Sequence, residues 1–272
     1  MEQGNRGRGM TTEKFDLIVI GAGPGGYVAA IRASQLGMKV ACVDRRSTLG
    51  GTCLNVGCIP SKALLNASEQ FVKATDGTLA DLGISVGTPK LDLGRMQAAK
   101  DDIVSGLTGG IDYLFKKNKI TRLEGTARID HAGEVSLVDG SDKGSYHCDR
   151  ILIATGSHAS SLPNVAIDEK RIVSSTGAVA LTTLPKKLVV IGAGYIGLEL
   201  GTVWARLGAE VEVIEFLPRI LPGMDEEVAK KFIAIVKRQG LKFRLKTAVK
   251  SAKASKTGVS LMVEPAGGGD EE

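Results

Sequence analysis

The hydrophobic residues of this chain fall into short apolar runs and helical stripes that alternate along the sequence. Residues 15–20 (FDLIVI) are a β-branched apolar run, typical of a strand buried on both faces. A glycine-rich turn, a stretch with helical spacing over 27–37 and a second apolar run over 38–44 follow. The same order recurs over 188–215. The pattern therefore predicts two βαβ units in one chain.

The segments between and after these units are more varied. Residues 60–74 read as a helix begun by Pro60, a favoured first helical position, and 75–90 as a glycine-rich connection. The later predictions are one long helix or two shorter ones over 92–118, antiparallel strands within 119–153, a strand over 150–157 that ends in a glycine turn, a helix over 225–239 that begins near Asp225 and is ended by Gly240, and strands at 241–246 and 258–263.

Together these elements predict an α/β fold with two Rossmann-like domains, the first carrying an antiparallel β insertion and the second incomplete. The predicted parts are a disordered extension over 1–11, a first domain over 12–158 and a second over 159–272. The second sheet has too few strands to close a core. We therefore expect a truncated chain that lacks a C-terminal dimerisation domain.

Composition narrows the class of protein. Hydrophobic residues are 43% and charged residues 24%, which is typical of a globular chain, and no apolar run approaches the roughly 20 residues of a membrane span. Aromatic residues are only 4%, which argues against a base-stacking nucleic-acid platform. The net charge of +5 is spread along the chain, as on a solvated basic surface. MEQGNRGRGM has no apolar segment of a secretory signal, so we expect a cytoplasmic protein.

The first glycine turn has the spacing Gly21-x-Gly23-x-x-Gly26. In a dinucleotide site the first glycine makes the turn, the second lets the backbone approach a pyrophosphate and the third lets the helix pack on the strand. Asp44 follows Gly21 by 23 residues, at the end of the second strand, where a carboxylate can accept ribose hydroxyls. The alternative is a glycine-rich turn used only for packing.

The second turn repeats this spacing at Gly192, Gly194 and Gly197, and Glu215 follows Gly192 by 23 residues. A carboxylate at this position hydrogen-bonds the ribose 2′-hydroxyl of NAD and repels the 2′-phosphate of NADP. The second unit is therefore predicted to bind NAD.

Two cysteines, Cys53 and Cys58, are separated by four residues, and Cys58 precedes the helix opened by Pro60. A helix N-terminus stabilises a thiolate, and two nearby thiols suit a reversible disulfide. Half of a zinc site and two structural cysteines remain as alternatives, although zinc needs two more ligands at matching spacing. Core residues are predicted at Cys42 and Cys148, and surface or packing residues at His131, His147 and His158.

The segment GGTCLNVGCIPSK at 50–62 closely resembles the redox signature of the class I pyridine nucleotide-disulfide oxidoreductases, and the resemblance covers about residues 12–263. These flavoproteins pass electrons between a dithiol, FAD and a nicotinamide. By this resemblance, the residues of the segment imply oxidation of dihydrolipoyl groups with NAD. Cys58 matches the thiolate that lies against the flavin, and Cys53 matches the thiol that exchanges with the substrate.

The resemblance also assigns the cofactor contacts. FAD is implied at Gly21, Gly23, Gly26, Asp44, Lys62, Gly125, Ala154, Thr155, Gly156 and Ser157. NAD is implied at Gly192, Gly194, Tyr195, Ile196, Gly197, Glu199, Glu215 and Val249. Lys62, one helical turn after Cys58, is implied to pair with Glu199, whereas without the resemblance it would read as an exposed helix lysine. No metal site is predicted.

The resemblance further implies a homodimer that serves a dihydrolipoyl-bearing protein of 2-oxo acid dehydrogenase or glycine cleavage complexes. The family's His–Glu acid–base pair has no match in these 272 residues, and a placed base is worth roughly 10²–10⁴-fold in rate, so we expect this chain alone to be a poor catalyst. The alternatives are a non-catalytic FAD- or NAD-binding module and a mercuric or glutathione reductase.

Overall fold

A computed structural model describes residues 14–268, so the predicted extension over 1–11 lies outside the described residues. The described chain divides into two compact units, one formed by residues 14–55 with 104–158 and the other by 56–103 with 159–268. The prediction of an FAD-binding domain over 12–158 and an NAD-binding domain over 159–272 concerns what each segment binds, and it stays a prediction.

The secondary structure alternates along both units. The strands are β1 (Lys14–Ile20), β2 (Val40–Asp44), β3 (Thr121–Glu124), β4 (Ala127–His131), β5 (Glu134–Leu137), β6 (Gly144–Ile153), β7 (Lys187–Ile191), β8 (Glu210–Ile214), β9 (Lys242–Arg244), β10 (Thr247–Ala254) and β11 (Val259–Pro265). The helices are α1 (Pro24–Gln35), α2 (Gly51–Val56), α3 (Cys58–Thr75), α4 (Thr78–Asp81), α5 (Leu93–Lys117), α6 (Ser175–Ala178), α7 (Tyr195–Arg206) and α8 (Glu226–Arg238).

The sheet of the first unit has six strands in the order β3-β2-β1-β6-β5-β4. Strand β1 lies between β2 and β6, parallel to both, and its Ile18 and Val19 are fully buried. Strand β6 is shared, because His147 pairs with Lys14 of β1 in a parallel register and with Glu134 of β5 in an antiparallel one. The predicted antiparallel insertion is therefore present as β4, β5 and the first part of β6.

The prediction of antiparallel strands within 119–153 was wrong for β3. This strand pairs with β2 in a parallel register, with Asp44 opposite Glu124. Helices lie between β2 and β3 in the chain. A helical crossover brings the chain back to the starting end of the sheet, so the next strand runs parallel to the one before it.

The second unit has a three-stranded parallel sheet in the order β7-β8-β9 and a separate antiparallel hairpin of β10 and β11. Helix α7 packs on the sheet through Leu198, Val203 and Trp204, which are buried. The helix predicted over 225–239 is confirmed as α8: the Asp225 carboxylate accepts the N–H groups of Glu227 and Val228, and Gly240 follows the helix with φ of +97°. Strand β10 was not predicted.

Helix α3 begins at Cys58 rather than at Pro60, so the predicted start was wrong by two residues. The first helical hydrogen bond runs from the Ser61 N–H to the Gly57 carbonyl at 3.0 Å. Pro60 is tolerated as the third helical residue because the N–H groups of the first turn have no intrahelical acceptor. Cys58 thus belongs to the first turn itself.

The segment over 92–118 forms one helix of 25 residues, α5. Within residues 14–268 no helix combines the length and apolarity needed to cross a membrane.

Candidate functional site

The glycine turn of the first unit is packed so closely that side chains are excluded from it. Gly21 has φ of +104°, and a Cβ added there would lie 2.2 Å from the Ala154 carbonyl oxygen. A Cβ on Gly26 would lie 1.7 Å from the Gly21 carbonyl oxygen. Gly23 is the N-cap residue of α1. The turn therefore has the backbone that the spacing predicts.

The Asp44 side chain holds this turn from the next strand. Its Oδ2 accepts the Ala22 N–H at 2.7 Å, and its Oδ1 accepts the Arg46 N–H at 2.9 Å. The Asp44 carbonyl oxygen also accepts the Gly125 N–H at 3.0 Å. The carboxyl ends of β1, β2 and β3 therefore meet at one edge of the sheet.

The end of β6 reaches the same edge. Ala154 donates its N–H to the Ile20 carbonyl oxygen at 2.8 Å, and the Cα of Thr155 would lie 3.2 Å from a Cβ added to Gly21. Gly156 and Ser157 continue from it, with φ of +70° at Gly156. The structure thus brings the predicted FAD contacts that belong to the first unit to one edge of its sheet, whereas the predicted contact Lys62 belongs to the second unit.

Two glycines of this site were missed as site residues. The Gly50 N–H donates to the Ala22 carbonyl oxygen at 2.9 Å, and a Cβ on Gly51 would lie 2.5 Å from the Gly23 Cα. Gly51 has φ of +58°, so it begins α2 directly beside the turn. The double glycine ahead of Cys53 is the signal that could have identified this close approach.

The four cysteines have different environments. Cys58 is an exposed thiol at the first residue of α3 in the second unit, and Cys53 is half-buried in α2 in the first unit. Cys42 and Cys148 are buried, as predicted for core residues. Burial, with the nearby Asp44 charge, raises the pKa of the Cys42 thiol to about 12, and burial also raises the pKa of Cys148. Both core cysteines are therefore held as neutral thiols at physiological pH.

The pair Lys62–Glu199 is present in the second unit. The Lys62 Nζ lies 2.6 Å from Oε1 and 2.7 Å from Oε2 of Glu199, which joins α3 to α7. The fully buried Leu64 of α3 packs into the hydrophobic core around α7. Ser61 was missed: it is buried, and its Oγ lies 3.1 Å from the Cys58 carbonyl oxygen and 3.3 Å from Glu199 Oε2.

The glycine turn of the second unit repeats the first. A Cβ on Gly197 would lie 2.5 Å from the Gly192 carbonyl oxygen, and Gly194 is the N-cap residue of α7. The Glu215 carboxylate accepts the Ala193 N–H at 2.7 Å and the Leu217 N–H at 2.8 Å. Glu215 is buried.

Three further predicted residues of the second site lie in α7 and β10. Tyr195 and Ile196 are exposed in the first turn of α7. Val249 lies in β10, and the Thr247 N–H of that strand donates to the Glu215 carbonyl oxygen at 2.9 Å.

The N-termini of α1 and α7 differ from those of α6 and α8. Ser174 caps α6 and Asp225 caps α8 through side-chain oxygens. In the part of the chain that the structure describes, no side-chain oxygen caps the N-terminus of α1 or α7. Both turns therefore fit the diphosphate of a dinucleotide, which binds at a helix N-terminus.

The three histidines belong to the first unit. His131 and His147 of the first unit lie beside Glu134, with His131 Nε2 at 2.8 Å from its Oε2, and His158 is exposed. Over residues 14–268, no group of three or more His, Cys, Asp and Glu side chains is arranged to hold a metal ion.

Known proteins resemble this chain closely. The family model described as pyridine nucleotide-disulphide oxidoreductase matches residues 15–270. A leghemoglobin reductase of Vigna unguiculata is 55% identical over 98% of this chain and 51% of its own length. Dihydrolipoyl dehydrogenase 3 of Pseudomonas putida is 55% identical over 96% of this chain and 56% of its own length. A mitochondrial dihydrolipoyl dehydrogenase of Pisum sativum is 52% identical over 96% of this chain and 52% of its own length.

The chain thus spans about half the length of the curated relatives that it matches. Among solved structures, a Cu(II) complex of the HOCl-induced flavoprotein disulfide reductase RclA from Escherichia coli superposes with a TM-score of 0.75. The match covers 93% of this chain and 53% of that structure at 24% identity, so it bears on the fold alone.

Proposed function

This chain belongs to the pyridine nucleotide-disulphide oxidoreductase family, and we propose that it carries the cofactor-binding and thiol-bearing half of a dihydrolipoyl dehydrogenase. The proposed reaction oxidises a dihydrolipoyl group with NAD, through Cys53, Cys58 and FAD.

The observation that carries the proposal is the position of Cys58. It is exposed at the first residue of α3, and Lys62, one turn further along, is paired with Glu199. A thiol must be reachable to exchange with a substrate dithiol, and the exposed Cys58 is reachable. The buried Cys42 and Cys148 have raised pKa values and cannot serve in this way.

The proposed thiol chemistry is an exchange between two dithiols. One thiolate of the dihydrolipoyl group attacks Cys53 of a Cys53–Cys58 disulfide, forms a mixed disulfide and releases Cys58 as a thiolate. The second substrate thiol then attacks its neighbouring sulfur, closes the lipoyl disulfide and releases Cys53. The two cysteines receive the two electrons. One substrate proton goes to solvent when the first thiolate forms, and the second goes to the Cys53 thiolate that is released.

The two glycine turns supply the proposed cofactor sites. FAD, when bound, would supply the two-electron chemistry that connects the two cysteines to NAD. The first turn, with Gly21, Gly23, Gly26 and Asp44, would hold the FAD diphosphate and ribose, and the second turn, with Glu215, would hold NAD. The uncapped N-termini of α1 and α7 support both assignments. Lys62 is proposed to present its ammonium group to the flavin.

The partner proposed for this site is a dihydrolipoyl-bearing protein of 2-oxo acid dehydrogenase or glycine cleavage complexes, approached by a homodimer of the full-length protein. The compartment proposed is the cytoplasm, whose thiol pools keep structural cysteines such as Cys42 reduced. The mitochondrion is the other candidate compartment, because the relative from Pisum sativum is described as mitochondrial. Fractionation of the source cells distinguishes the two.

The thiol half-reaction tests the function without requiring turnover. The air-oxidised chain is treated with dihydrolipoamide, and native thiols are then counted by maleimide labelling and intact-mass spectrometry. We expect two additional labels after treatment, located by peptide mapping at Cys53 and Cys58. Cys53→Ser and Cys58→Ser should each lose the dithiol-dependent gain.

Cys42→Ser is the matched control, because Cys42 is buried and its pKa is raised. This variant should keep the gain of two labels. An unchanged label count after dihydrolipoamide in the parent chain would overturn the proposed function.

A further inference from the structure

Ser61 is a buried polar residue in the first turns of α3, between Cys58 and Lys62. Its hydroxyl carries one proton and lies within reach of two acceptors: the Cys58 carbonyl oxygen at 3.1 Å and Glu199 Oε2 at 3.3 Å. All of these residues belong to the second unit. The hydroxyl therefore links the backbone of the thiol-bearing turn to the carboxylate of α7.

We infer that Ser61 is a positioning residue, whose hydroxyl fixes the Glu199 carboxylate and, through it, the ammonium group of Lys62. The inference rests on the proposed function for the use made of Lys62, but its geometry is independent of that function. It adds a third member to the ion pair that the family resemblance implies.

The ion pair alone leaves Lys62 poorly fixed. The Lys62 side chain is 59% exposed and the Glu199 side chain 28%, and an exposed ion pair gains little from its Coulomb attraction after screening and loss of side-chain entropy. The Ser61 hydroxyl has one proton, which it can donate to the Cys58 carbonyl oxygen at 3.1 Å or to Glu199 Oε2 at 3.3 Å. The ionised carboxylate is the stronger acceptor of the two, which favours the bond to Glu199. Ser61, only 6% exposed, therefore restricts the carboxylate from the interior side.

A purely structural role for Ser61 can be separated from this one within the same helix. Ser68 is also buried in α3, and its Oγ donates to the carbonyl oxygen of Leu65 at 3.0 Å. Both serines therefore bond to the carbonyl three residues earlier, and only the Ser61 hydroxyl also lies within hydrogen-bonding distance of a carboxylate. Ser68→Ala is thus a matched control for the loss of a buried serine hydroxyl.

The test measures how readily Lys62 is acylated in the folded chain. Parent and variant chains are treated briefly with acetic anhydride, and acetylation is followed by peptide mass spectrometry. Lys73, which pairs with Glu69 at 2.7 Å on the same helix, is the internal reference. Ser61→Ala should raise the acetylation rate of Lys62 relative to Lys73 by about threefold to tenfold, as expected for the loss of one charge-assisted hydrogen bond at a partly exposed site.

Ser61→Thr keeps the hydroxyl and should restore the parent ratio, whereas Ser68→Ala should leave it unchanged. The free energy of unfolding of each variant, measured in urea, establishes that the chain is folded under the labelling conditions. A Lys62 rate in Ser61→Ala equal to that of the parent, or an equal rise in Ser68→Ala, contradicts the positioning role.

The readout needs neither turnover nor a bound cofactor. If dihydrolipoamide exposes no thiols while Lys62 responds to Ser61→Ala, the proposed function fails and the positioning role stands. If the thiols respond and Lys62 does not, only the positioning role fails.

Discussion

The two glycine turns of this chain can be compared residue by residue. Gly192 lies 171 residues after Gly21, and the same offset relates Asp44 to Glu215, the carboxylates that hold the two turns. Asp44 accepts the N–H groups of Ala22 and Arg46, and Glu215 accepts those of Ala193 and Leu217. These donors are related by the same offset. The local sequence therefore dictates both the turn and the carboxylate that holds it.

The surroundings of the two turns differ. Strand β1 lies between two parallel neighbours, whereas β7 pairs only with β8 among residues 14–268, and its Val189 and Ile191 are exposed. Gly21 lies against the Ala154 backbone, but no described atom lies within 4 Å of a Cβ placed on Gly192. The turn is therefore a local structure, and the neighbouring strands determine how strictly its first glycine is required.

The largest expected difference is between alanine substitutions at the two first glycines. Gly21→Ala places a methyl group 2.2 Å from a carbonyl oxygen, and we expect a loss of more than about 4 kcal/mol in the free energy of unfolding of the first unit. Gly192→Ala incurs only the strain of its positive φ, about 1–2 kcal/mol. Hydrogen-exchange mass spectrometry of the β1 and β7 peptides measures each unit separately. Equal losses would refute the role assigned to the neighbouring strand.

A smaller difference in stability is expected between substitutions of Asp44 and Glu215, the carboxylates that hold the two turns. Removing the charge weakens two hydrogen bonds in each unit, and Glu215 is 8% exposed whereas Asp44 is half-buried. We expect Glu215→Gln to reduce the free energy of unfolding by about 2–3 kcal/mol and Asp44→Asn by about 1 kcal/mol. Urea denaturation with the same exchange readout checks the order. A larger loss of stability for Asp44→Asn would show that burial does not determine how much each carboxylate stabilises its turn.

The smallest expected difference is in the pH dependence of stability. It concerns strands β2 and β8, in which Cys42 corresponds to Val213 by the same offset. Burial raises the pKa of Cys42 from 9.0 to about 12. The unfolded thiol therefore ionises above pH 9 while the folded one stays protonated, so this thiol lowers the free energy of unfolding as pH rises from 9 to 12. The slope reaches about 1.4 kcal/mol per pH unit.

Cys42→Val should remove that part of the alkaline slope, measured as the difference in urea stability between pH 8 and pH 10.5. Val213→Cys should introduce a similar slope into the second unit, because Val213 is fully buried. Parallel pH profiles for Cys42→Val and the parent would contradict the assignment of the raised pKa to burial.

Much of the fold follows from periodicity and turn residues. Strand β1 and helix α8 were predicted because a continuous apolar run and an Asp225 cap with Gly240 are strong local signals. Strand β10 (TAVKSAKA) was missed because alanine, serine and lysine have little β-propensity, and its pairing with β11 outweighs that preference. The parallel register of β3 was missed because sheet position depends on the crossover and not on the strand's own pattern.

The residues of the candidate sites also fall into those that local sequence predicts and those that it does not. The spacing of Gly21, Gly23 and Gly26 is visible in the sequence because it describes one turn. Gly51 and Ser61 were missed because their importance comes from residues far away in the chain: Gly51 approaches Gly23, and Ser61 approaches Glu199. Contacts of this kind depend on tertiary packing, which a single sequence does not reveal.

The offset between the two turns places Trp204 opposite Ala33. Trp204 is the chain's only tryptophan, is fully buried in the second unit, and donates its indole N–H to the Ala178 carbonyl oxygen at 3.2 Å. Its fluorescence therefore gives an optical signal from the second unit alone. Melting followed at the indole emission and at the far-ultraviolet circular dichroism would separate the unfolding of the two halves without any added dye or engineered label.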